Sequence, residues 1–456
     1  MEVNGNSHNP LAGAMDEKSA SRIAPVATMK NVKTQVNEIK RKKDQAGTSK
    51  AKKLKKESPP QLVPAEDDED EDDPLGGEPG SLVLGDQAFE WLIAPTSVTK
   101  FYEEYWEKKP LLIKNTEDKE RFKSLFSTKS FDNILRTQRV LYGKNLDVTS
   151  YEDDKRETHN PEGRVYPAVL WDFFNNGCSV RMLNPQTFHK EVWRLCSTLQ
   201  DHFQSFVGAN VYLTPPGTQG FAPHYDDVEV FLVQLEGKKH WRLHKSRSEE
   251  EKLPRHSSPN FSQEEVGKPF MEFDLEPGDV LYMPRGTIHQ GNCLEEEHSL
   301  HITISTYQLN SWTDLIEKLL PGALAVASQE DVEFRKGLPR DLMLNMGVVH
   351  EDKSSPSRKK YIHHIKTLMK KMIDLAPLDA ACDQLGKRLM QDALPPALEL
   401  GEKMRTVAGD GEKWNAKKQS VVNRVEIDPE TKIRYPENYF LSLSVPLGHA
   451  LCPRLG

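Results

Sequence analysis

Cysteine is scarce and unpaired in this sequence: Cys178, Cys196, Cys293, Cys382 and Cys452 are scattered through 456 residues and form no CxxC. That excludes a disulfide framework and a zinc ribbon, and fits a reducing compartment. No apolar run approaches the roughly 18 residues of a membrane helix, so no membrane partner is expected. The first residues carry no apolar signal-peptide core either, and secretion is not expected. No internal repeat is present. The length leaves room for two or three domains, because a single core stops growing well before 456 residues. Hydrophobic residues at 37% against charged residues at 29% are expected of a soluble protein with a disordered portion.

Charge is unevenly spread beneath the formal net of -8. Residues 1–60 hold 13 Lys/Arg and 6 Asp/Glu, a balance of +7 (13 − 6), and Glu66 to Asp73 is then an unbroken run of eight acids. Like charges repel and stay hydrated, so both blocks are expected to be disordered. The clusters Lys40–Lys43 and Lys50–Lys56 suit a nuclear or nucleolar address or a weak nucleic-acid contact; a plain solvated tail is the competing reading.

Order is expected to begin after Pro74-Leu75-Gly76-Gly77. The stretch Ala88–Trp106 follows a helical period with Phe101, Tyr102, Tyr105 and Trp106 on one face, ended by Pro110, and Leu111–Ile113 reads as a buried strand. From about Val180 to Gln308 the pattern is β-rich. Asn210–Thr214, Val228–Leu235, Trp241–Leu243, Val280–Met283 and Leu300–Tyr307 are short β-branched and aromatic runs punctuated by Gly and Pro, as a barrel or sandwich requires. Glu276-Pro277-Gly278-Asp279 is a clear turn between two of them. Beyond Asn310 helical periodicity returns in Trp312–Ala327 and Arg358–Leu375, with prolines at 339, 356, 377, 395 and 396. Two weak strand-like runs follow, Val421–Ile427 and Tyr439–Val445.

The chemistry centres on His224-Tyr225-Asp226, an HxD. In extended backbone positions i and i+2 share one face, so both side chains can address one ion. With a third ligand they make the two-histidine, one-carboxylate facial triad of non-haem iron, which leaves open positions for a chelating keto acid and dioxygen. A bare HxD arises by chance in a chain with fifteen histidines and 69 acids, and His189-Lys190-Glu191 and His350-Glu351-Asp352 are also present. The first of these lies in an expected helix, Phe188–Leu199, and the second in a polar loop; only His224 leads into the strongest strand. His289, after the turn-strand-turn Gly278–Gly286, is the leading third ligand. His298 and His301 are rivals, and a hydrogen-bonded core histidine is the bland alternative. Lys239, on the metal-facing side of Lys239-His240-Trp241, can supply a cation for a distal carboxylate, whereas Lys238 should face solvent. Asn210, Tyr212 and Thr303 lie on adjacent strands and can add neutral hydrogen bonds.

The wording of three stretches, residues 210–243, 276–290 and 298–308, resembles the JmjC ribosomal oxygenases, as does FYEEYWEKKPLLI at 101–113; the likeness covers roughly residues 85–400. SSPNFSQEEVGKP (Ser257–Pro269) resembles the bifunctional lysine-specific demethylase and histidyl-hydroxylase branch. The resemblance implies a mainly β double-stranded β-helix (a jelly-roll or cupin-like JmjC barrel) with flanking helices. It implies Fe(II) on His224, Asp226 and His289, and 2-oxoglutarate on Lys239 with Asn210 and Thr303 nearby. It further implies that Arg181, Tyr212, Asn260 and Ser305 line a substrate groove.

The expected organisation is a basic and acidic arm (1–78), a catalytic domain (79–310), a helical dimerisation domain (311–403) and a partial winged-helix segment (404–456). The chain ends where the family's winged helix would barely have begun, and Leu447–Gly456 does not resemble it, which fits a shortened variant or an incorrect terminal exon. Dimerisation can survive that; what the winged helix contributes is in doubt. The activity implied is hydroxylation of a histidine in a large-subunit ribosomal protein, in the nucleus and nucleolus and as a homodimer. The alternative is histone lysine demethylation, with histone tails and chromatin proteins as partners, because the same triad serves both reactions. A non-catalytic scaffold is the third reading, and an intact triad with Lys239 weighs against it.

Overall fold

Short apolar runs separated by Gly- and Pro-containing turns fold as antiparallel strands, and in the computed structural model they pair into two facing sheets. The structure describes residues 81–115, 118–397 and 412–423. The basic and acidic runs and the run Tyr439–Val445 lie outside the described residues, as do 424–427 of Val421–Ile427. In chain order the strands are β1 (Leu111–Ile113), β2 (Leu146–Glu152), β3 (Lys155–Thr158), β4 (Ser179–Leu183), β5 (Val207–Thr214) and β6 (Glu229–Glu236). There follow β7 (Lys239–His244), β8 (Met271–Leu275), β9 (Val280–Met283), β10 (Ile288–Cys293) and β11 (Ser299–Thr306), then β12 (Glu412–Asn415) and β13 (Ser420–Asn423). Eight strands form one sheet in the order β1-β9-β6-β11-β5-β4-β2-β3, and three form another in the order β10-β7-β8. Every pairing is antiparallel and most spatial neighbours are not sequence neighbours, as in a jelly roll. β12 and β13 pair only with each other.

Alternation along each strand divides the core in two. Val230 and Leu232 of β6, with Leu281 and Met283 of β9, pack between the sheets against Trp241, Leu243 and Leu275. Phe231, Val233 and Tyr282 point the other way, into a larger core closed by the helices Ser81–Ile93, Val98–Glu104 and Lys190–Phe203. The centre of the large sheet is therefore buried on both faces. That is why Val230–Val233 reads as an unbroken apolar run rather than an alternating one.

The expected helix Ala88–Trp106 is two helices, Ser81–Ile93 and Val98–Glu104. Pro95 interrupts it, since proline has no N–H to give and disfavours helical backbone just before itself. Ser97 then caps the second helix by accepting the Lys100 N–H at 3.3 Å. After β11 the chain is helical, with Trp312–Glu330 and Pro356–Asp374 close to expectation and Leu378–Asp392 in addition. The return from that last helix is fixed to the helix Lys190–Phe203: the Gln200 side-chain amide exchanges two hydrogen bonds with the backbone of Leu394 (3.0 and 3.1 Å).

The turn at 276–279 is held by Asp279, whose buried carboxylate accepts the backbone N–H of Glu276 (2.8 Å) and of Asn115 (2.9 Å) and pairs with Lys114. It thereby ties β1 to β9. Asp279→Ala strands two backbone donors, and we expect a loss of about 2–3 kcal/mol, read as a lower melting temperature by calorimetry. An unchanged melting temperature would show that water replaces the carboxylate at no cost.

Candidate metal centre

The Pro- and Gly-containing segment after β5 brings His224 alongside β10, where His224 and His289 form an isolated antiparallel bridge. Each backbone bonds the other: the His289 N–H donates to the His224 carbonyl (2.8 Å) and the His224 N–H to that of His289 (3.3 Å). The HxD thus lies on extended backbone just ahead of β6 rather than inside a strand. The third histidine comes from β10, a strand that the expected turn-strand-turn did not include. Tyr225, between the two HxD ligands, turns away to pack on Phe261. Its N–H donates to Ser258 Oγ (2.9 Å), which laces the segment around 257–261 to the site.

Three ligand atoms converge. The imidazole Nδ1 of His224 meets the Ala222 carbonyl at 2.8 Å and that of His289 the Thr287 carbonyl at 3.0 Å. A carbonyl can only accept, so each Nδ1 carries the proton and each Nε2 presents its lone pair, the usual arrangement for metal-binding imidazoles. Both Nε2 atoms lie 3.8 Å from the Asp226 carboxylate. The three ligand atoms all fall within 4.8 Å of one another, the one such group of His, Cys, Asp or Glu among the described residues. Burial, and then the neighbouring His224, hold His289 well below the usual imidazole range, so it is neutral and able to ligate. Two nitrogens and one carboxylate fit a divalent ion of the iron, manganese or cobalt type.

The other histidines do different things. His298 pairs with Glu236 at 3.0 Å, outside the interior. His301 is buried, stacked on Tyr212 (4.8 Å, interplanar angle 6°) and set edge-on to Trp241. His189 stands at the start of the helix Lys190–Phe203 without a side-chain capping bond, and His350 ends a short exposed helical turn.

Beside the metal ligands lies a pocket whose polar wall carries Tyr212, Lys239, His301 and Thr303 and whose apolar wall carries Val230, Leu232, Trp241 and Met283. Lys239 is 4% exposed, and no carboxylate pairs with it among the described residues. Its ammonium touches Thr214 Oγ1 at 3.1 Å and lies over the Trp241 ring. Burial pushes it down to about 8. Trp241 Nε1 and His301 Nδ1 are also buried without partners. A desolvated cation beside orphaned polar atoms fits a bound carboxylate, which would offset the cost of burying that charge. Lys238, by contrast, is surface-exposed and pairs with Glu276.

Asn210 and Thr303 face each other across β5 and β11, and Thr303 lines the pocket while Asn210 hydrogen-bonds Tyr212 beside it. Arg181 is brought onto Tyr212 and Asp147, with an ion pair of 2.6 Å. Ser305 lies two residues along β11 from Thr303 and bonds the Gly208 carbonyl. Asn260 is exposed on the segment laced to Tyr225 and contributes nothing to the pocket lining. Thr214, Trp241 and Phe221 also belong to the site and were not singled out in the sequence. Alternation in Asn210–Thr214 could have found Thr214, which shares a face with Asn210 and Tyr212.

Residues 181–315 match the JmjC domain family. The chain is 55% identical over 346 residues to ribosomal oxygenase 1 of Danio rerio, covering 76% of this chain and 63% of that one. It is 50% identical over 329 residues to the bifunctional lysine-specific demethylase and histidyl-hydroxylase NO66 of Aedes aegypti, covering 72% and 52% respectively. A solved structure of YcfD, a ribosomal oxygenase from Escherichia coli in complex with cobalt and 2-oxoglutarate, aligns with a TM-score of 0.41 at 17% identity, over 70% of this chain and 79% of that one. The chain spans little more than half to about two thirds of the length of the curated relatives it matches.

Two outcomes follow from this geometry. Manganese(II) is expected to raise the melting temperature of the wild-type chain, by preferential binding to the folded state, and to leave that of Asp226→Ala unmoved. Equal shifts would place the ion elsewhere. A dicarboxylate needs the charged form of Lys239, so its affinity should be flat below about pH 8 and fall as pH rises past that value. The slope approaches tenfold per pH unit, measured by calorimetric titration of the manganese-loaded protein. Lys239→Met should bind weakly with no such pH dependence, and a wild-type affinity that holds level through pH 9.5 would count against this role.

Proposed function

We propose that this chain, whose residues 181–315 match the JmjC domain family and whose sequence is similar to the ribosomal oxygenases, is an Fe(II)- and 2-oxoglutarate-dependent oxygenase that hydroxylates a histidine of a large-subunit ribosomal protein. The observation that carries this reading is the convergence of His224, Asp226 and His289 next to the buried, carboxylate-free Lys239. When bound, iron, dioxygen and 2-oxoglutarate supply the oxidation: the keto acid leaves as succinate and carbon dioxide, and one oxygen atom goes to the substrate.

The chain's own residues do the rest. His224, Asp226 and His289 would hold the ion. Lys239, braced by Thr214, would take the distal carboxylate of 2-oxoglutarate, with Thr303 and Asn210 as neutral neighbours. Val230, Leu232, Trp241 and Met283 keep water away from the reacting groups and strengthen each charge interaction inside. Arg181, Tyr212 and Ser305 would orient the substrate, because a single C–H must be presented to the oxidant and hydrogen bonds to the peptide set that approach.

A relative's name, which includes a lysine-specific demethylase, also supports a second reading on the same triad; the proposed substrate of that reading is a histone lysine, with a role in chromatin and transcription regulation. A homodimer is supported by the apolar side chains that the C-terminal helices leave exposed, among them Trp312 at 74% and Val348 at 87%. The basic clusters at 40–43 and 50–56 support a nuclear and nucleolar location.

Mass spectrometry separates the two activities. The purified chain is given Fe(II), ascorbate and 2-oxoglutarate, with a ribosomal histidine peptide and a methylated histone-tail peptide side by side and His224→Ala as control. The expected outcome is a gain of one oxygen on the ribosomal peptide that the variant lacks. Formaldehyde and demethylation alone would put the second reading first. No turnover of either by a folded chain would leave the scaffold.

A further inference from the structure

A buried polar cluster on the face of the large sheet turned away from the pocket has no part in the chemistry above. Its centre is Glu229, which has no exposed surface. One carboxylate oxygen accepts the Tyr282 hydroxyl at 2.5 Å; the other accepts the Arg285 guanidinium at 2.8 Å and the Arg285 backbone N–H at 3.4 Å. Arg285 also reaches the Glu107 carboxylate at 2.6 Å, and the Glu107 N–H donates to the Tyr282 hydroxyl at 2.9 Å. Burial pushes the Glu229 carboxyl up to about 7, so the charge is held there at a cost.

The cluster sits where two strands of the large sheet run on into the ligand-bearing segments. The β6–β9 ladder closes with Val230 opposite Met283. Past that pair the two segments stay tied to each other outside the ladder: Glu229 to Arg285, the Gly286 N–H to the Asp226 carbonyl at 3.0 Å, and His224 to His289. Glu229 stands three residues after Asp226, and Arg285 four before His289. Gly286, between them, has φ +85°, and a Cβ there would meet the Glu251 carbonyl at 2.4 Å. Little slack is available at that turn, so a displacement of Arg285 passes to the Asp226 carbonyl and to His289.

We propose that Glu229 and Arg285 are positioning residues for the metal site: their buried pair locks the stems of the two ligand-bearing segments and so sets the spacing at which His224, Asp226 and His289 meet. This rests on the reading of that triad as a metal site.

The test is cobalt(II) binding by the full chain, read as a dissociation constant and as the visible absorption of the bound ion, with the melting temperature recorded alongside. Glu229→Ala is expected to weaken binding roughly tenfold and to change the absorption, with Glu229→Gln, which keeps the shape and an acceptor for Arg285, falling between it and wild type. If the alanine variant does not fold, Arg285→Lys takes its place and is expected to weaken binding and alter the absorption in the same sense. Wild-type affinity and absorption in the folded variants, whatever happens to their melting temperatures, would overturn the proposal and leave an ordinary stabilising ion pair. Wild-type protein that binds no cobalt would instead remove the metal reading itself, and this inference with it.

Discussion

The pair of backbone hydrogen bonds between His224 and His289 is the contact on which the rest of the site depends. It extends the small sheet by one residue at the point where the large sheet's chain passes by. Without it the two imidazoles would ride on independent segments, and the lone pairs fixed by the Ala222 and Thr287 carbonyls would have no reason to face one carboxylate. A metal site needs ligands placed before the ion arrives, because each ligand that must be ordered on binding subtracts its entropy from the affinity.

The jelly roll suits this task because its two sheets present opposite parities of the same strands to different surroundings. On β6, Val230 and Leu232 wall the pocket while Glu229, Phe231 and Val233 engage the larger core and its buried polar cluster. A dry interior then sharpens whatever charge it holds. Lys239 shows this plainly: Thr214 and the Trp241 face are its neighbours, neither is an anion, and its protonation is correspondingly strained. The fold holds a cation in readiness for a carboxylate, and the apolar walls make that readiness selective.

Much of this was legible in the residues. The strong strands 228–235 and 280–283, the turn at 276–279 and the sidedness of Lys239 against Lys238 follow from local pattern, because alternation and turn chemistry are local properties. Less regular pieces were not legible. β10 is Ile288–Cys293, a strand containing His, Gln, Gly and Asn, whose composition argues for a loop; it is a strand because β7 supplies a partner along its whole length. The break at Pro95 is not legible in the pattern alone, because core-facing apolar residues stand on both sides of it, Phe89, Leu92 and Ile93 before and Phe101 after. Asn260 lies on an exposed segment with no strand to dictate its direction.

The sequence by itself determined which side chains can do chemistry here. An HxD ahead of an apolar strand, a histidine beyond a Pro-Arg-Gly turn and a lysine after a Glu-Gly turn are statements about donor type, charge and spacing, and those survive without a fold. Only the tertiary structure decided which of them meet. His301 is as buried as His289 and lies in a better strand, yet it stacks on Tyr212, while the less regular segment carries the histidine that faces Asp226. Convergence is a property of long-range pairing: residues 224 and 289 are neighbours because two antiparallel segments share a bridge, and no local pattern encodes the partner of a strand.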